Sequence, residues 1–90
     1  MTEIFKMFKI TASEAEKILQ SVNEPHTHDF EELIIGIKGQ LEHFIDFQSK
    51  LIDAPFISFV TQGKIHRAKP LIKDGDCDMW VLRFKSEFIA

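Results

Sequence analysis

Hydrophobic residues change their spacing along the chain, and each spacing predicts a different element. Residues 4–10 are apolar with interleaved lysines, which is typical of a strand. Behind it, apolar side chains within residues 15–22 recur at helical spacing, and Glu14 stands three positions after Thr11, as in a capping box. We therefore expect a short helix that ends before the Asn-Glu-Pro of residues 23–25, because proline restricts the residue before it.

From residue 30 onward, short apolar blocks alternate with turn residues, which favours β-structure. The expected strands are residues 30–38, 41–47, 56–60, 65–69 and 79–85. Gly39-Gln40 predicts a hairpin turn between the first two of these, and Pro70 is expected to limit the strand before it. With the N-terminal strand, this spacing predicts a mostly β protein, an antiparallel sandwich or small barrel with one short N-terminal helix.

Length and composition are those of one small domain covering residues 1–90. The chain has 90 residues, 44% of them hydrophobic, and 11 basic against 14 acidic side chains. A net charge of −3 makes the chain a poor direct reader of nucleic-acid phosphates. We expect no membrane span and a cytoplasmic location, because the sequence shows no long apolar run and no secretion signal. Its single cysteine, Cys77, excludes an internal disulfide and a thiolate-rich zinc site.

The histidines carry the strongest chemical signal. In an extended strand, His26, His28 and Glu32 would share one face, and His66 could join them from another strand. Three imidazoles and a carboxylate suit a first-row divalent metal such as Fe, Mn, Ni, Zn or Cu. The same four residues could instead bind a polar small molecule by hydrogen bonds, or be purely structural.

The order of these residues resembles the two motifs of the cupin superfamily. His26-Thr27-His28, Glu32 and Gly39 are similar to the first motif, and residues 61–66, ending in His66, to the second. Three positions depart from the family pattern, in which a proline, an asparagine and a glycine are usual: Thr61, Pro70 and Gln20. The resemblance implies a cupin-like, jelly-roll β-barrel over residues 24–85.

Within that superfamily, residues 25–33 are similar to the start of the sensor domain of AraC-type transcription regulators. This resemblance implies a non-catalytic domain that binds a small-molecule effector and forms a homodimer. DNA would be contacted only through a C-terminal helix-turn-helix domain that lies outside this sequence. The alternative is a stand-alone, metal-dependent cupin enzyme of isomerase or oxygenase type, with the metal on His26, His28, Glu32 and His66.

The remaining polar residues are assigned simpler roles. His43 is expected to face solvent from its strand, and Cys77 to be an exposed or half-buried thiol without a function. Arg67 and Lys69 could hold an anion, although a solvated strand face is the commoner explanation. Several aromatic and apolar residues are assigned to the core or to a dimer interface: Trp80, Phe84, Phe88 and Ile89.

Overall fold

The computed structural model describes residues 4–21 and 27–85. Its elements are β1 (Phe5–Thr11), α1 (Ala12–Gln20), β2 (Glu31–Lys38), β3 (Gln40–Ile45), β4 (Gln48–Asp53), β5 (Phe56–Val60), β6 (His66–Leu71) and β7 (Asp78–Phe84). They form a four-stranded sheet in the order β1-β7-β2-β5 and a three-stranded sheet in the order β4-β3-β6. All strand pairs are antiparallel, so the predicted mostly β fold with one short helix is confirmed.

The core lies between the two sheets. Ile34 on β2 and Met79 and Val81 on β7 point inward from the four-stranded sheet, and Leu41 on β3 points inward from the other. The helix α1 packs against β6 and β1, one strand from each sheet, and buries Ala15 in the same cluster. At nine residues, it is too short to cross a bilayer, and the structure describes no other helix.

The side chains of the four-stranded sheet that point away from the core form a second apolar surface on its outer side. Its members, which we call the outer apolar face, are Met7, Leu33, Ile35, Ile57, Phe59, Trp80 and Leu82. They are neighbours across the strands, since Leu33 pairs with both Phe59 and Leu82, and Ile35 with both Ile57 and Trp80. Ile57 is 74% exposed, so part of this apolar surface is in contact with solvent.

Two strand boundaries differ from the sequence-based prediction. The strand expected to run to residue 47 ends at Ile45, because Asp46 and Phe47 adopt positive φ angles of 52° and 61° and turn the chain into β4. The strand β4 was missed because its sequence, QSKLID, is polar and mostly exposed. Pro70 does not end β6 but lies within it, which is tolerated because β6 is an edge strand.

The helix start and the cysteine also differ from expectation. Thr11 is the N-cap of α1, but its side chain does not cap the backbone; its hydroxyl donates to the carboxylate of Glu14. Cys77 is only 2% exposed and belongs to the core cluster, so the exposed or half-buried thiol expected from sequence is wrong. Burial raises the pKa of this thiol, and the charges of Asp76 and Asp78 add to the effect.

Candidate functional site

Three of the four residues predicted to form a site come together inside the barrel. His28, Glu32 and His66 each offer a ligand atom, and these atoms lie within 4.8 Å of one another. Glu32 points inward from β2, and His66 begins β6 in the opposite sheet. His28 precedes β2 and is not on a regular strand. The sequence analysis expected it to share one extended strand with Glu32, but it reaches the cluster from the segment before that strand. The fourth residue, His26, lies outside the described residues.

Glu32 is held by cationic or polar partners on both carboxylate oxygens. Arg83 donates from Nε to Oε2 at 2.8 Å, and Nε2 of His66 lies 3.6 Å from Oε1. Burial would raise the pKa of Glu32, but the hydrogen bond to His66 and the charge of Arg83 outweigh it. The pKa is therefore lowered to about 2, and the carboxylate is ionised at neutral pH.

His66 is oriented by its backbone neighbour. It is 2% exposed, and its Nδ1 lies 3.2 Å from the carbonyl oxygen of Lys64, to which it donates. That hydrogen bond leaves Nε2 facing Glu32. Burial lowers the pKa of His66, but the bonds to Glu32 and to the Lys64 carbonyl prevail, so the pKa is raised.

His28 completes the cluster through ring contacts. Its imidazole stacks on Phe30 at a centroid distance of 4.2 Å and meets the ring of His66 edge-on at 4.6 Å. Phe30 also contacts the guanidinium of Arg83, so one aromatic ring supports both a histidine and the arginine that binds Glu32. The cluster is therefore built from side chains that restrict one another's rotamers.

The donor set fits a divalent metal ion. Two imidazoles and one carboxylate are ligands that first-row metals accept, and three protein ligands leave coordination positions for water or substrate. The Lys64 carbonyl supplies the outer hydrogen bond that metal-binding imidazoles usually make. Arg83 binds only Oε2 of Glu32, so Oε1 stays directed towards His66.

A cavity of about 220 Å³ adjoins this cluster. Its polar wall is formed by His28, Glu32 and Arg83, and the rest is mainly apolar. The apolar lining residues are Phe8, Ile10, Ile18, Ile34, Leu41, Ala68, Pro70 and Val81. Two of the three residues of the cluster, His28 and Glu32, thus line a cavity with room for a small molecule.

His43 was placed wrongly by the sequence analysis. It is 5% exposed and points into the barrel, where its Nδ1 lies 2.9 Å from Oγ of Ser58 on the opposite sheet. Burial lowers the pKa of His43, and the nearby charge of His66 lowers it further. Alternation with the apolar Leu41, two positions earlier, was the signal that could have placed it inside.

Arg83 was missed altogether, because β7 is apolar at both alternating sets of positions and its inner face is not evident from the sequence. Met79, Val81 and Arg83 alternate along β7, so all three side chains point inward. The other strand arginine, Arg67, points outward, where it donates to Glu42 at 3.0 Å and lies over the ring of Phe44. Arg67 is thus on the outer side of its sheet but only 27% exposed and paired with protein groups, so it is not the simply solvated residue that the sequence favoured.

The comparisons with known proteins find similarity in structure but not in sequence. No protein-family model matches the chain, and no curated protein has a significantly similar sequence. A cupin 2 conserved barrel domain protein from Salinispora arenicola superposes with a TM-score of 0.65 and 16% identity, covering 99% of this chain and 70% of that one. A cupin-2 domain containing protein from Shewanella frigidimarina gives 0.58 and 16%, covering 94% and 74%.

One of these structural neighbours is an enzyme. The iron(II) form of HppE superposes with a TM-score of 0.63 and 11% identity, covering 90% of this chain but 43% of that one. At such identities the likeness concerns the fold alone. The chain therefore has a cupin-like fold of two facing antiparallel sheets.

Proposed function

We propose that this chain is a small-molecule-binding cupin domain whose site holds a first-row divalent metal on His28, Glu32 and His66. The observation that carries the proposal is the convergence of the three ligand atoms within 4.8 Å, beside a cavity. A metal bound there would supply Lewis-acid chemistry towards a small molecule in the cavity, as an isomerase requires, or, if it were a redox-active ion such as Fe, the oxidation chemistry of an oxygenase. HppE, a neighbour in fold, is described in an iron(II) form, which agrees with this chemistry.

The chain's own residues would prepare that site in defined ways. The Lys64 carbonyl keeps the Nδ1 proton on His66, so that Nε2 is directed towards the site. Arg83 holds one oxygen of Glu32 and leaves the other available. The apolar walls lower the polarity beside the site, and this strengthens electrostatic interactions there.

A second candidate function is the sensing of a small effector by an AraC-type regulator without a metal. The bond between Arg83 and Glu32 favours it, because the arginine already compensates the buried carboxylate. In this case an effector would bind in the cavity with different affinity in two conformations of the whole protein. Its binding would thereby change the DNA affinity of a domain outside the present sequence.

Metal-dependent stabilisation would separate the two candidates. After treatment with chelator, addition of Mn, Fe, Ni, Zn or Cu should raise the melting temperature of the wild type. A ligand at 100 times its dissociation constant adds about 2.7 kcal/mol to the free energy of unfolding. His28→Ala should remove this increase, and Thr27→Ala, a change at the exposed adjacent residue, should retain it. A folded wild type that gains no stability from any of these metals would contradict metal binding and favour the sensor.

We also propose that two copies of the chain pair through the outer apolar face. Strands lie about 4.8 Å apart and rise about 3.4 Å per residue, so the outer apolar face extends about 20 Å across the four strands and about 10 Å along them. Exposed apolar side chains that are contiguous across a sheet are candidates for an interaction site. Lys9 and Asp78, which lie beside Trp80 on this face, pair at 3.3 Å, so their two charges offset each other there.

Sedimentation of two matched variants tests this pairing. The wild type should have twice the monomer mass of 10.4 kDa. Ile57→Glu, a change at the most exposed residue of the outer apolar face, should produce monomers, because a buried unpaired carboxylate would oppose association. Leu51→Glu, at a residue 61% exposed on β4, should leave the dimer intact. A monomeric wild type, or a dimer that survives Ile57→Glu, would contradict this interface.

A further inference from the structure

We propose that Arg83 makes the cavity a binding site for a small carboxylate with a short apolar tail. This inference rests on the proposed function only in that the cavity binds a small molecule; it requires no metal. It is carried by the way the guanidinium group of Arg83 is held, which leaves one direction open to a ligand.

Three sides of that guanidinium are already in contact with protein groups. Its carbon lies 5.1 Å from the ring centroid of Phe8 and 5.3 Å from that of Phe30. Its Nε donates to Glu32. The edge formed by its two terminal nitrogens remains, and within residues 4–21 and 27–85 no hydrogen bond to these nitrogens is found. The side chain is 32% exposed and borders the cavity.

The shape of the remaining edge selects the ligand group. Two parallel N–H donors of a guanidinium match the two oxygens of a carboxylate, and such bidentate pairs are among the strongest hydrogen-bonded contacts in proteins. The contacts with Phe8, Phe30 and Glu32 fix the plane of the group before any ligand arrives, so little side-chain entropy is lost on binding. A lysine at position 83 would retain the charge but not this paired geometry.

The rest of the cavity selects the tail. Phe8, Ile10, Ile18, Ile34 and Val81 line it with hydrocarbon. A volume of about 220 Å³ corresponds to roughly seven water-sized groups, since one water accounts for about 30 Å³ of liquid. The proposed ligand is therefore a monocarboxylate of about eight non-hydrogen atoms, with its acid group on Arg83 and its tail among these residues.

Calorimetry with hexanoate and 1-hexanol on the metal-free protein tests the proposal. The wild type should bind hexanoate at least about tenfold more tightly than 1-hexanol, a difference typical of one charged, bidentate contact. Arg83→Gln should remove this preference, so that hexanoate and 1-hexanol bind with similar affinity. Arg83→Lys, which keeps a cation beside Glu32, should lose most of it. Arg67→Gln is the matched control, because Arg67 also pairs with a glutamate and stacks on a phenylalanine, but faces away from the cavity.

Each outcome decides a separate point. Equal affinity for acid and alcohol in the wild type, or an unchanged preference in folded Arg83→Gln, would overturn the carboxylate assignment. Circular dichroism of both Arg83 variants checks the fold, and Arg83→Lys keeps the test decisive if Arg83→Gln does not fold. Metal-induced stabilisation, measured separately, would be unaffected by these results, so failure here and failure of the proposed metal site are distinguishable.

Discussion

Glu32→Gln is expected to lower the free energy of unfolding by about 3 kcal/mol and to abolish metal-induced stabilisation. Breaking a buried ion pair by removing one partner typically costs about 3–5 kcal/mol, because the other charge stays buried without compensation. Here two partners depend on Glu32, which is 3% exposed: Arg83 and His66. The neutral amide retains the size of the side chain, so lost packing does not explain the effect.

Urea unfolding of the wild type, Glu32→Gln and Glu42→Gln measures this contribution. Glu42 is the matched control, since it accepts from Arg67 at 3.0 Å but is on the outer side of its sheet, with a side chain 31% exposed. An ion pair whose carboxylate is about one-third exposed stabilises less than one whose carboxylate is buried, so Glu42→Gln should lose less stability than Glu32→Gln. A similar decrease in the free energy of unfolding in both variants would show that burial of Glu32 does not increase its contribution to stability.

Acid is expected to remove most of the same contribution from the wild type. The pKa of Glu32 is about 2 in the folded chain, against an ordinary value of 4.5. Because the pKa is lowered on folding, the stabilisation is present above pH 4.5 and is lost as the pH falls towards 2. A shift of this size corresponds to about 3 kcal/mol.

His66 contributes with the opposite sign. Its pKa is raised on folding above the ordinary value of 6.5, so its stabilisation is present below pH 6.5 and is lost as the pH rises through the folded-state pKa. The carboxylate of Glu32 and the imidazolium of His66 are therefore both charged between pH 4.5 and pH 6.5 in the folded protein. The metal-free protein should be most stable, as far as this pair is concerned, in mildly acidic solution.

Unfolding free energies measured from pH 7 to pH 2 without metal test this dependence. The wild type should lose more stability than Glu32→Gln as the pH falls from 4.5, and the difference between them should narrow by about 3 kcal/mol. Glu42→Gln should instead follow the wild type throughout. If the difference in unfolding free energy between the wild type and Glu32→Gln does not change with pH, the pKa of the Glu32 carboxylate is not lowered in the folded protein.

The sequence predicted most of the fold because its strands have strong local signals. Apolar blocks bounded by turn residues located β2, β5 and β7 within a few residues, and the helical spacing after Thr11 located α1. The strand β4 was missed because an edge strand with solvent on most side chains carries no hydrophobic pattern. The end of β3 was missed because Asp46 and Phe47 adopt backbone conformations that their residue types do not announce.

The candidate site was predictable only in part. The motif spacing singled out His28, Glu32 and His66, which the fold brings together. It did not indicate Arg83, which bonds to Glu32 although 51 positions separate them, or His43, which bonds to Ser58 across the barrel. Both side chains point inward by simple alternation, but alternation alone does not say which face of a strand is covered.

Periodicity and residue chemistry are local properties, and they were enough to predict the β-rich architecture, the early helix and three potential metal ligands. The compensation of the interior charges and the position of the cavity depend instead on how the two sheets pack. Strand order places β7 beside β2, and so Arg83 opposite Glu32 in register. A pairing between strands so far apart in the chain leaves no periodic trace, because it is selected by the packing of two sheets and not by neighbouring residues.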